Sequence, residues 1–190
     1  MTPADSGQRV FERRRIWQVT DPVLAEGCEM LSSAAYVKYA CFTVTIGIAG
    51  GGRIPAERIA KSAGRIAHTV RAQHNPTDEL YQQATGSVTV DVTGLAEALN
   101  SRKLFGEILL VDDICGTGET FAAVTDALGP YLKADANIRT VALCRNIGSA
   151  YTPDLWLWDV ADWVHFPWEH DLEPGQRTEV LTIPERVQRR

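Results

Sequence analysis

The sequence predicts an α/β fold, a mainly parallel sheet flanked by helices. Three observations carry that expectation. Apolar runs rich in β-branched residues stand at 39–49, 105–111 and 138–144, and runs of this kind read as strands buried on both faces. Between them lie stretches with apolar residues at helical spacing, so strand and helix alternate as right-handed crossovers do. Glycines, paired carboxylates and an arginine fall just after the apolar runs, at the strand ends where such sheets gather their ligands.

Taken in order, residues 1–8 are polar, and 9–17 mix apolar and basic residues in a pattern that fits a short strand or a helix. Asp21-Pro22 opens a helix to about residue 36, with Leu24, Cys28, Leu31 and Ala35 as its apolar stripe. The 39–49 strand ends in Gly50-Gly51-Gly52, a sign of tight turning or of close approach to a ligand. Pro55 begins a helix to about 65, and 67–72 reads as a second strand. Residues 88–92 alternate as a ribbon strand does, and 95–99 form a turn or two of helix. The mostly polar stretch 73–102 is expected to be a lid insertion. Strands follow at 105–111, 138–144 and 155–160, with a helix over 121–128 after the second glycine-rich turn. An aromatic segment, 163–169, lies near the end.

The totals fit one domain over 1–190. The chain has 45% apolar and 23% charged residues and a net charge of -5, which leaves no broad cationic surface for nucleic acid or anionic lipid. Arg13-Arg14-Arg15 and Arg189-Arg190 read as solvated ends. Cys28, Cys41, Cys115 and Cys144 show no metal-ligand spacing. Cys41 and Cys144 read as reduced core residues, and Cys115 as a packing residue or an oxidisable thiol. No apolar run reaches membrane-spanning length and no secretion signal stands at the start, so a cytoplasmic protein is expected.

The chemistry concentrates in Val111-Asp112-Asp113-Ile114-Cys115-Gly116-Thr117-Gly118-Glu119-Thr120. Two adjacent carboxylates at the end of a buried strand must meet hydroxyls, a cation or water, because an unpaired buried charge is very costly. Vicinal sugar hydroxyls suit them, and so does Mg²⁺ with its preference for oxygen. Gly116 and Gly118 free the backbone to cup an anion, while Thr117, Thr120 and the first N–H groups of the next helix supply donors. The turn lacks the lysine of a nucleoside-triphosphatase loop.

This stretch resembles the phosphoribosyl pyrophosphate (PRPP) motif of the type I phosphoribosyltransferases. The 163–169 segment is similar to the W…PWE run of their bacterial and archaeal 6-oxopurine members, which act on xanthine, guanine or hypoxanthine. The resemblance spans about 39–169. It implies a Rossmann-like core with a small hood, and transfer of 5-phosphoribosyl from PRPP to a nitrogenous, purine-like base with release of pyrophosphate, as in purine salvage. It places Asp112 and Asp113 on the ribose hydroxyls, directly or through Mg²⁺. It also places Gly116, Thr117, Gly118, Glu119 and Thr120 around the 5-phosphate, and Ala49, Gly50, Gly51, Gly52 and Arg53 at the pyrophosphate, often with a strained peptide. Segment 145–170 would form the base-binding hood, with Arg145 on an exocyclic oxygen, Trp163 stacked on the base, and the backbone of Phe166 to Glu169 closing that side. Arg71 and His74 lie at the base of the lid, His74 as an acid or base by location. A homodimer is among the assemblies the resemblance implies.

Two positions depart from the family pattern. Gly116 stands where the oxopurine enzymes usually carry Asp, and Gly50 where similar enzymes tend to carry Arg or Lys, with Arg53 close by to compensate. A non-catalytic PRPP or nucleotide sensor, and an enzyme ribosylating a non-purine acceptor, therefore stand beside the main reading.

Overall fold

The computed structural model describes residues 8–73, 83 and 87–190. A short strand β1 (Ile16–Gln18) leads into α1 (Asp21–Tyr39), then β2 (Val44–Ala49), α2 (Arg53–Ser62) and β3 (Ile66–Gln73). After β4 (Thr89–Asp91) and α3 (Thr93–Leu99) come β5 (Glu107–Cys115), α4 (Glu119–Leu128) and β6 (Asn137–Asn146). β7 (Leu155–Val160), β8 (Trp163–His165), β9 (Thr178–Val180) and β10 (Gln188–Arg189) complete the chain.

Seven strands form the main sheet in the order β10-β7-β6-β5-β2-β3-β4. The five inner strands run parallel, and β10 and β4 pair antiparallel at the edges. β5 sits at the centre because it can be buried on both faces. Ile108, Leu109, Leu110 and Val111 are all fully buried. Leu109 and Val111 join the core beneath α1 and α2, whereas Ile108 and Leu110 pack with Ile46, Phe121, Val124 and Leu128 beneath α4. Leu110→Ala, which opens a cavity in that second layer, is expected to cost about 2–5 kcal/mol in a denaturant titration.

α1 buries Leu24, Cys28, Leu31 and Ala35, the stripe its sequence spacing gave. It packs so closely on β7 that a Cβ on Gly27 would come within 2.6 Å of Leu157 Cδ1. The helix runs to Tyr39 and stops at Ala40, whose backbone is left-handed, so β2 begins five residues later than the apolar run at 39 suggested. β5 departs in the other direction. It stays paired with β6 as far as Cys115 opposite Arg145, so the two carboxylates lie within the strand rather than after it.

Of the 73–102 stretch, β4 pairs with β3, and α3 buries Leu95 and Leu99 in the same core as Val70. Residues 74–82 and 84–86, including His74, lie outside the described residues. A second, three-stranded parallel sheet, β8-β1-β9, draws the N-terminal segment alongside Trp163, with Ile16 opposite it in register. No described helix is long and apolar enough to cross a membrane.

Candidate functional site

The two glycine-rich turns meet because β2 and β5 are neighbours in the sheet, with Gly47 in register with Val111. A Cβ on Gly51 would fall 1.6 Å from Asp113 Oδ2, and one on Gly52 would fall 2.4 Å from the Val111 carbonyl oxygen. Glycine is therefore a steric requirement at both positions: the first turn lies directly against the Asp113 carboxyl. Gly50 differs, since a Cβ there would meet nothing within 4 Å. The Ala49–Gly50 peptide is cis. Arg71 stands beside Ala49 in strand register, and Arg53, at the start of α2, pairs with Glu57 at 2.8 Å.

The carboxyls are held by the backbone that follows them. Asp112 Oδ1 accepts from the Asp113 N–H at 3.0 Å, and Asp113 Oδ1 accepts from the Ile114 N–H at 2.7 Å. Burial pushes both above the ordinary carboxylate range, Asp112 most strongly, and the neighbouring Asp113 raises Asp112 further. The backbone N–H groups that the carboxyls accept from oppose this first, and the Arg9 guanidinium draws both down further. Arg9 itself is lowered by burial and supported by the two carboxylates. Sequence reasoning missed Arg9, since nothing local signals that a residue about a hundred positions away is brought over the diacid. Cys115 is buried and its thiol is raised to about 11 by desolvation, so it packs rather than reacts.

Beyond β5 the chain turns through Gly116, Thr117 and Gly118 into α4, whose first residues are Glu119 and Thr120. Gly118 has φ 93°, and a Cβ there would sit 2.1 Å from Tyr151 Cβ, so glycine is needed for conformation and for space. The Thr117 hydroxyl donates to Glu119 Oε2 at 3.2 Å and accepts from the Glu119 N–H at 3.4 Å. The N-cap residue, Gly118, brings no side-chain bond to α4, and a helix start of this kind can bind anions through its amides.

In the C-terminal aromatic segment, Trp163 is half-buried, 6.2 Å from Phe11 between ring centres and 5.6 Å from the Arg9 guanidinium carbon. Phe166 is buried and stacked on Trp168 at 4.8 Å. Its N–H donates to Glu169 Oε2 at 3.3 Å and its carbonyl accepts from the Glu169 N–H at 3.1 Å, so residues 166–169 close on themselves as a turn. Trp156 and Trp158 are core residues. Arg145 lies over the Trp156 ring at 4.9 Å, with Nη1 donating to the Thr152 hydroxyl at 3.2 Å. Its Nε is 2.9 Å from Asp159 Oδ1, an ion pair without hydrogen-bond alignment.

Among the described residues, no group of three or more His, Cys, Asp and Glu side chains is placed to hold a metal. Two carboxylates side by side nevertheless suit Mg²⁺, which binds through one or two carboxylates together with substrate oxygens and water.

The sequence matches the model of the phosphoribosyl transferase domain over residues 27–174. No curated protein matches the chain. Among solved structures, the fold is similar to a purine phosphoribosyltransferase from Pyrococcus horikoshii Ot3, with a TM-score of 0.66 and 18% identity over 85% of this chain and 99% of that one. A xanthine-guanine-hypoxanthine phosphoribosyltransferase from Helicobacter pylori gives 0.64 and 17%, over 80% and 94% of the two chains. A hypothetical protein from Neisseria gonorrhoeae with bound ppGpp gives 0.62 and 16%, over 83% and 92%. At these identities the likeness is one of fold.

Proposed function

The chain belongs to the phosphoribosyl transferase domain family, and from that premise we propose that it transfers 5-phosphoribosyl from PRPP to a nitrogenous base. In this reaction the bond from the anomeric carbon to pyrophosphate breaks, the bond to the base nitrogen forms, and pyrophosphate leaves. The observation that carries the reading is the contact of the two turns: Gly51 lies against Asp113, and Asp113 opens the sequence that leads into the start of α4. The two turns thus stand on either side of the two carboxylates, each with backbone amides.

The residues divide the substrate. Asp112 and Asp113 accept hydrogen bonds from the ribose 2- and 3-hydroxyls and fix the ring. Gly116 to Thr120 hold the 5-phosphate through amides and the threonine hydroxyls. The 49–53 turn faces the pyrophosphate, with Arg53 and Arg71 as nearby cations. Mg²⁺, bound at Asp112 and Asp113, would neutralise charge on the departing pyrophosphate. Trp163 offers a flat face for the base, worth about 1–3 kcal/mol in stacking. Catalysis is then positioning and charge stabilisation, and a purine-like base is the expected acceptor class.

Trp163→Ala is expected to raise the KM for the acceptor about tenfold or more while leaving PRPP affinity within about twofold, as judged by steady-state kinetics beside calorimetry. A fall in thermal stability with both constants unchanged would instead assign Trp163 to packing.

A second reading, binding of a nucleotide polyphosphate without turnover, draws on Gly116 and Gly50, which bring neither acid nor cation to the surface. The experiment that separates the two follows pyrophosphate release from PRPP and Mg²⁺ across a panel of purines, pyrimidines and other nitrogen heterocycles. Release with any of them supports the transferase. Binding of PRPP with no release across the panel supports the sensor.

A further inference from the structure

The N-terminal segment 8–14 is tied across the acceptor side of the site. The Val10 N–H donates to Asn146 Oδ1 at 2.8 Å, and the Val10 carbonyl accepts from Asn146 Nδ2 at 2.9 Å. The Glu12 N–H donates to the Ala161 carbonyl at 2.8 Å. The Arg13 and Arg14 N–H groups donate to the two oxygens of Asp162 at 2.6 and 3.0 Å. A Cβ on Gly148 would come within 2.1 Å of the Gln8 carbonyl oxygen. The side-chain anchors, Asn146 and Asp162, are fully or almost fully buried, and they are the chain neighbours of Arg145 and Trp163. A segment anchored this way is a wall of the site, not a loose tail.

Arg9 projects from that wall. Its Cδ and Nε each lie 3.1 Å from where a Gly116 Cβ would stand, so the missing side chain at 116 makes the room that Arg9 occupies. The guanidinium carbon is 5.4 Å from the Phe11 ring centre and 5.6 Å from that of Trp163. Arg9 Nε is buried with no hydrogen-bond partner among the described residues. A permanently charged planar donor, with one buried N–H unspent, lies over the Trp163 ring proposed to receive the base. Once ribose hydroxyls satisfy Asp112 and Asp113, that N–H still needs an acceptor. A neutral edge with no acceptor would leave it buried and unpaired, which is costly.

We infer that Arg9 sets acceptor specificity, and that the acceptor is a nitrogen heterocycle carrying negative charge, as a carboxylate or an ionised ring oxygen, on the edge that faces Gly116. This rests on the phosphoribosyl transfer proposed above.

The test measures PRPP affinity first, then kcat and KM for charge-matched pairs: nicotinate against nicotinamide, orotate against uracil, and xanthine against hypoxanthine. In the wild type, the charged member of at least one pair is expected to be preferred. Arg9→Gln is expected to raise its KM about tenfold or more at saturating PRPP, with the KM of the neutral partner changed less than about threefold. Arg9→Lys, which keeps the charge and gives up the planar fork, is expected to restore part of the preference. Thermal melting of both variants reports folding independently.

No preference for charged members in a wild type that binds and uses PRPP overturns the inference alone. So does an equal KM rise for both members in Arg9→Gln, or a gain in rate with every acceptor, which would make Arg9 a plug. Failure of the wild type to bind PRPP overturns the proposed function and this inference together.

Discussion

Asp112→Asn is expected to weaken PRPP binding and to raise the thermal stability of the free protein. Both effects come from one arrangement: two adjacent carboxyls raised by burial, with the Arg9 guanidinium close enough to act on both. Burial lifts both pKa values, the Asp113 charge lifts Asp112 further, and the backbone N–H groups together with Arg9 offset only part of that. A carboxyl raised in the folded state binds protons more tightly there than in the unfolded chain, so stability falls as pH rises from the unfolded value through the folded one. At neutral pH the free protein carries that cost. Removing one charge leaves one carboxylate facing one cation, and the melting temperature rises by about 2–4 °C for each kcal/mol relieved.

In the role proposed for Asp112, the same substitution removes an anionic acceptor for a ribose hydroxyl, and bonds to charged groups contribute about 1.5–3 kcal/mol, so PRPP affinity is expected to fall roughly 10- to 100-fold. PRPP affinity in the wild type is also expected to rise with pH across the raised carboxyl range, because the hydroxyls need ionised acceptors. Calorimetry and melting curves over a pH series read both signs. Lower stability in Asp112→Asn would show that the pair is held as a favourable network, not as a strained one.

Gly51→Ala is the second large effect. The added methyl would stand 1.6 Å from Asp113 Oδ2 and 2.2 Å from its Cγ, so either the carboxyl or the turn must move. Overpacking of this kind costs about 1–3 kcal/mol in stability, and the carboxyl is displaced from the ribose side. PRPP affinity is expected to drop roughly 100-fold or more, beyond the loss in Asp112→Asn, because the turn proposed for pyrophosphate moves with it. Gly50→Ala is the control, since its methyl meets nothing within 4 Å and leaves Asp113 in place. Equal losses in the two variants would mean that the contact between the turns does not matter.

Much of this was legible in the chain. Long apolar runs gave the inner strands, because strands buried on both faces cannot hide their composition. The α1 stripe fell where Leu24, Cys28, Leu31 and Ala35 predicted it. Boundaries were less legible: Ala40 ends α1 by adopting a left-handed backbone, a conformation its sequence does not announce. β5 runs on through Asp112 and Asp113 because pairing with β6 outweighs the poor strand preference of aspartate. β9 and β10, of three and two residues, are too short for any period to show. Arg9 was invisible because its place depends on Asn146 and Asp162, contacts about 140 to 150 positions away in the chain.

The central claim is that the 49–53 turn, the diacid and the 116–120 turn form one PRPP site. Backbone amide shifts on titration with PRPP and Mg²⁺ test it most directly. The expected result is saturable, concerted shifts at Gly51, Gly52, Asp113, Thr117, Gly118, Glu119 and Thr120, all fitting one dissociation constant. Shifts confined to one turn, shifts centred on the cavity between α1 and the C-terminal segment lined by Met30, Val37 and Val187, or no shift at all would contradict it.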